Sequence, residues 1–165
     1  MKKLSRLSDE MLMLLINAST HELRNSMFYS IMANHLGVRG FTNSSKFCKK
    51  QISEEQEHFE KVWQYISDRN AKAMLGTIPQ IIGDFSDLRI AFDEALKLEF
   101  STTEMWQDIL AKATEEGDYI TQRLAHEYMD IQRVEENEFM TIVDEISLIG
   151  ENLSNQKLWD NTYEF

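Results

Sequence analysis

Residues 53–66 read SEEQEHFEKVWQYI. The stretch contains no Gly or Pro, and Phe59, Val62 and Ile66 recur at the three- and four-residue spacing of a helix with one buried face. Followed backwards, the same face takes Ile52 and Cys48. Glu55 and His58 fall on that apolar face. Three residues apart on a helix, their side chains lie one above the other. A carboxylate in an apolar seam is costly unless it is neutralised, paired or bound to a cation.

Working outward, the chain has 165 residues, six Gly and one Pro. The breakers are Gly37, Gly40, Gly76, Pro79, Gly83, Gly117 and Gly150. Helix interiors avoid them, at roughly 1 kcal/mol for Gly and 3 kcal/mol for Pro. Between them lie four long stretches, 1–36, 41–75, 84–116 and 118–149, each read as one helix. Ser8, the run Thr42–Ser45, Ser86-Asp87 and Asp118 are the expected N-caps. GVRG and EEGD are tight joints, whereas 70–87 is long enough to run the length of a bundle. The expected fold is all-α: an antiparallel four-helix bundle with a long crossover between helices two and three.

Each helix repeats the anomaly of the second. The first seam is Leu15, Ala18, Glu22, Asn25, Tyr29, Met32, Leu36. The third runs through Phe92, Ala95 or Leu96, Glu99, Thr102 or Thr103, Trp106, Ile109 or Leu110, and Ala113. The fourth runs through Ile120, Leu124, Tyr128, Ile131 or Gln132, Glu135, Phe139, Ile142 and Ile146. One exposed-face glutamate misread as buried is unremarkable, but four of them at mid-helix, one with a histidine, describe a dinuclear carboxylate metal site in a bundle interior. Oxygen and imidazole donors suit iron or manganese, with zinc a further option.

The charge balance agrees. Asp and Glu number 28 against 17 Lys and Arg, a formal charge of −11. General nucleic-acid binding needs a basic excess, and an anionic membrane surface repels this chain. One cysteine, Cys48, leaves no intrachain disulfide, as in a reducing compartment or a fold that needs no staple. The start, MKKLSRLSDEMLMLL, is interrupted by Asp9 and Glu10 and does not read as a signal peptide. The expectation is a cytoplasmic protein with neither nucleic acid nor membrane as partner.

HELRNSMFY in helix one, SEEQEHFEKVWQYI in helix two, ALKLEFSTTEMW in helix three and IQRVEENEF in helix four together resemble the ferritins of the bacterial non-haem type. The resemblance spans about residues 9–150. It implies a ferritin-like bundle over 1–150; 151–165, short and polar for the family's fifth helix, is read as a C-terminal tail or a remnant of that helix. It also implies a ferroxidase centre holding two iron ions per subunit. Glu22 and His58 would bind the first iron, Glu55 would bridge, and Glu99 and Glu135 would hold the second. Gln132 and Tyr29 match the family's glutamine and tyrosine beside the centre. The implied activity is oxidation of Fe(II) to Fe(III) by dioxygen or hydrogen peroxide. The ferric product would be stored as mineral in a homo-oligomeric shell of 24 subunits.

The sequence departs from that pattern at several points. Gln56 stands where related bacterioferritins carry a haem-ligating methionine, so no haem is expected. Of the family's third iron site Glu54 is kept, but Ile131 and Val134 replace glutamates. Glu127 occupies the place of a tryptophan near the centre. Glu136 and Glu138 stand close to Glu135 and compete with it in the reading of helix four. His21 is expected on the surface, and Glu54, Glu57 and Glu60 on a solvated face. Two other readings use the same helices: an iron or manganese oxidase without mineral storage, and a metal-free interaction bundle.

Overall fold

The computed structural model describes residues 5–165; residues 1–4 of the expected first helix lie outside that range. Five helices follow in order: α1 (Asp9–Val38), α2 (Thr42–Asp68), α3 (Leu88–Glu116), α4 (Tyr119–Ile149) and α5 (Leu153–Thr162). The described residues contain no strand, and none of their helices is long and apolar enough to cross a membrane. α1 packs along α2, α3 along α4, and α1 also meets α3. Glu22 meets Trp106, Asn25 meets Thr102, and Tyr29 meets Glu99. Numbers that rise on α1 as they fall on α3 make those two helices antiparallel.

Three of the expected caps form. The Ser8 hydroxyl accepts from Met11 N–H at 3.0 Å, Asp87 from Ile90 N–H at 2.9 Å, and Asp118 from Thr121 N–H at 3.2 Å. The fourth does not come from Thr42–Ser45. Phe41 is the N-cap residue of α2 and offers no side-chain bond. The carboxylate of Asp160, from α5, caps this end instead. It accepts from Ser44 N–H (2.7 Å), Ser44 Oγ–H (2.5 Å) and Asn43 N–H (3.1 Å).

The second helix is shorter than the expected 41–75. It stops at Asp68 because Asn70 takes a left-handed conformation, φ 57°. Asn70 N–H then reaches Ser67 C=O at 2.9 Å, and Ala71 N–H reaches Ile66 C=O at 3.1 Å. This is the Schellman ending that glycine usually supplies and asparagine sometimes does. Gly40 ends α1 in the same way, with Phe41 N–H on Leu36 C=O at 2.9 Å. Residues 71–87 contain no helix or strand and cross from one end of the bundle to the other. Gly76 N–H donates to Thr20 Oγ1 at 2.7 Å, which ties the crossover to α1. The third helix accordingly starts at Leu88, not at residue 84.

Two apolar clusters fill the bundle. One gathers Tyr29, Met32, Leu36, Phe47, Phe92, Phe139 and Ile142, with Trp159 of α5. The other gathers Met11, Leu15, Val62, Ile66, Trp106, Ile109 and Tyr128. Ile120, expected on the fourth seam, is exposed; Thr121 is the buried residue at that end. Between the two clusters lies a layer of buried polar side chains.

Candidate metal centre

Every long helix contributes to that layer. α1 brings Glu22, Asn25 and Tyr29, and α2 brings Glu55, with His58 half-buried on the same helix. α3 brings Glu99, Thr102 and Trp106, and α4 brings Gln132 and Glu135. Glu22, Glu55 and Glu99 are 1%, 2% and 0% exposed, so three of the four expected seam glutamates are interior; the fourth, Glu135, is half-buried. Ligand atoms of Glu22, Glu55 and His58 lie within 4.8 Å of one another. His58 Nδ1 is 3.8 Å from Glu55 Oε2, and its Nε2 is 4.0 Å from Glu135 Oε1. His58 therefore stands between the carboxylates of α2 and α4. Glu99 and Glu135 are not members of the tightest group, but both raise the cost of charge on Glu55.

The three carboxylates that converge on this space are under-satisfied. Glu22 Oε2, Glu55 Oε2 and Glu135 Oε2 are buried and have no hydrogen-bond partner, as does Asn25 Oδ1. Burial pushes the Glu22 carboxyl well above its ordinary range, and repulsion from Glu55 pushes it further. Burial and the neighbouring Glu99 do the same to Glu55. Glu99 is raised by burial and by Glu135. The Glu135 carboxyl rises to about 7, again mainly through burial and against the pull of His58. Such a set is stable when protonated or when a cation replaces the protons.

Glu99 is held differently. The Tyr29 hydroxyl donates to its Oε1, and Gln132 Nε2–H donates to Oε2 at 3.0 Å and to the Glu99 carbonyl at 3.3 Å. Both residues expected beside the centre thus bear on one glutamate. The three neighbouring glutamates of α4 meet different surroundings. Glu135 faces His58, Glu136 accepts from Thr103 Oγ1–H, and Glu138 lines an outer pocket with Glu54, Ile131 and Val134.

Several participants carry no sequence signal of their own. Trp106 Nε1–H donates to Glu22 Oε1 at 3.1 Å. Its place two turns after Glu99 on one helix face was the available hint. Thr102 Oγ1 accepts from Asn25 Nδ2–H at 3.2 Å and lies 2.9 Å from His21 Nε2. His21 is half-buried here, not on the surface. Burial, aided by Arg24, lowers its pKa to about 4, so the ring is neutral at pH 7. Cys48 is fully buried and burial pushes its thiol up to about 12, which makes it core and not nucleophile. Glu57 and Glu60 are exposed and Glu54 is half-buried.

A family model described as the ferritin-like domain matches residues 13–149. The chain belongs to the ferritin-like family. This ferritin-like chain is 28% identical over 154 residues to a bacterial non-heme ferritin of Staphylococcus epidermidis, covering 93% of each. It is 26% identical over 146 residues to the bacterial non-heme ferritin of Escherichia coli, covering 88% of each. Its fold superimposes on an open pore ferritin from the archaeon Archaeoglobus fulgidus with a TM-score of 0.90, at 23% identity and 96% coverage of both chains.

Proposed function

We propose that this chain is an iron-storage ferritin whose mid-bundle layer is a ferroxidase centre for two Fe(II) ions. The observation that carries this reading is the set of three buried, partnerless carboxylate oxygens, on Glu22, Glu55 and Glu135, around one imidazole. Oxygen-rich donors with one nitrogen match iron. Glu22 and His58 hold the first iron, Glu55 bridges, and Glu99 and Glu135 hold the second. Tyr29 and Gln132 fix the orientation of Glu99. The likeness to non-heme ferritins of two bacteria supports the same reading.

Each of two Fe(II) ions gives up one electron. Dioxygen takes both electrons and two protons and leaves as hydrogen peroxide; peroxide, used as the oxidant, leaves as two waters. The anionic carboxylates favour the more highly charged ferric product. The charge of −11 supports attraction of cations towards the protein. We propose further that the chain forms a homo-oligomeric shell of 24 copies in which the ferric product accumulates.

The test is to mix metal-free protein with Fe(II) under air and follow ferric absorbance and oxygen uptake. A fast phase that is lost in Glu55→Ala and His58→Ala is expected. An unchanged fast phase in both variants contradicts the assignment. Size-exclusion chromatography reads the shell: a species of about two dozen subunits is expected, and a monomer or dimer contradicts storage within a shell.

A further inference from the structure

Trp106 lies in the interior with no exposed surface. Its indole N–H is committed to one oxygen of Glu22, at 3.1 Å, while the other oxygen of the same carboxylate has no partner. The Trp106 ring stacks on Tyr128 with centroids 3.9 Å apart and planes 13° from parallel. The Tyr128 hydroxyl in turn donates to the His58 backbone carbonyl at 2.7 Å. The Lys61 ammonium lies 5.4 Å from the Tyr128 ring centroid. One stacked aromatic pair therefore connects Glu22 of α1 to His58 of α2 through two directed hydrogen bonds.

We propose that Trp106 is a positioning residue of the metal centre: its N–H occupies Glu22 Oε1 and holds the carboxylate as a one-oxygen donor through Oε2. This rests on the reading of Glu22, Glu55 and His58 as ligands given above. A carboxylate with both oxygens free rotates and adopts one- or two-oxygen binding. With one oxygen taken by a rigid, fully packed indole, the free oxygen keeps its aim before the metal arrives. Partners that orient a ligand in this way are worth about 10–100-fold in metal affinity.

The experiment titrates metal-free, full-length protein with Co(II), which reports binding without oxidation and whose visible bands weaken as coordination number rises. Trp106→Phe keeps an aromatic ring and removes the N–H. The expected result is a Kd for Co(II) raised roughly tenfold to a hundredfold, with weaker visible bands as Glu22 engages through two oxygens. In a Glu22→Ala background the same substitution should change Kd by less than about twofold, because coupled residues are not additive. If Trp106→Phe does not fold, β-(3-benzothienyl)alanine at position 106 replaces the N–H by sulfur and keeps the ring shape. The same weakened binding is expected of it. Wild-type affinity and spectrum in the folded variant overturn the positioning role alone. An equal loss with and without Glu22 also overturns it, since Trp106 then acts only as packing. Absence of saturable Co(II) binding in the wild-type protein, or binding indifferent to Glu55→Ala, overturns the metal centre together with it.

Discussion

Two sets of buried carboxylates sit about half a bundle apart and are built in opposite ways. Asp160 is fully buried where α5 meets the start of α2, and both its oxygens accept hydrogen bonds from the Asn43–Ser44 corner. Helix N-termini offer unpaired N–H groups and a partial positive charge, so a carboxylate there completes the structure. Glu22, Glu55 and Glu135 meet in the middle of the bundle and leave three oxygens without a donor. Burial alone does not separate Asp160 from Glu22, Glu55 and Glu135; the oxygens left without a donor do. The first set needs nothing more, whereas the second needs protons or a cation.

The sharpest way to break this contrast is to remove one acid from each set. Glu55→Ala should lower the initial rate of Fe(II) oxidation at least a hundredfold in stopped-flow absorbance. The metal-free protein should become no less stable, since a buried, repelled carboxylate disappears. Asp160→Ala should do the reverse. It strands two backbone N–H groups and a hydroxyl, at a cost of about 3 kcal/mol in denaturant unfolding. It should leave the iron-oxidation rate per folded chain within about twofold. A loss of oxidation in Asp160→Ala as large as in Glu55→Ala would erase the distinction.

The effect of pH should follow the same division. Glu135 sits at about 7, and Glu22, Glu55 and Glu99 also lie above the ordinary carboxylate range. From about pH 4.5 to 7 the folded, metal-free protein thus binds more protons than the unfolded chain. Stability is then highest at the acid end and falls as pH rises through Glu135's folded value. Melting temperatures measured without metal should decline from pH 5 to 7.5. Glu135→Gln should remove its share of that decline, at most about 3 kcal/mol. Metal affinity should run the other way and rise with pH, because the ligands must lose their protons. A metal-free melting temperature that climbs over this range would contradict the unpartnered character of the cluster.

The smallest effect sets the baseline for both. Glu127 pairs with Lys61 at 2.5 Å but its side chain is 56% exposed. Glu127→Gln should change stability by less than about 1 kcal/mol.

The contrast also marks how far the sequence could be read. The interior placement of Glu22, Glu55 and Glu99 was legible because a carboxylate on a three-and-four apolar seam breaks a simple rule. The tight joints were legible because glycine stands at Gly40 and Gly117. The end of α2 was not, because Asn70 adopts a conformation that sequence reading assigns first to glycine. The cap on α2 was missed for a different reason. Asp160 lies 116 residues from Ser44, and no local pattern connects them. Trp106 and Thr102 looked like seam filling, since a hydrogen bond from an indole or hydroxyl leaves no periodic trace. His21 looked exposed because it neighbours Glu22, yet the α1–α3 interface is wide enough to enclose it against Thr102.

An anaerobic titration of the metal-free protein with Fe(II) bears most directly on the central claim. The account predicts saturation at two Fe(II) per chain, falling to one or none in Glu55→Ala, whose carboxylate is assigned to both ions. No saturable binding, or the same stoichiometry in Glu55→Ala, would contradict it.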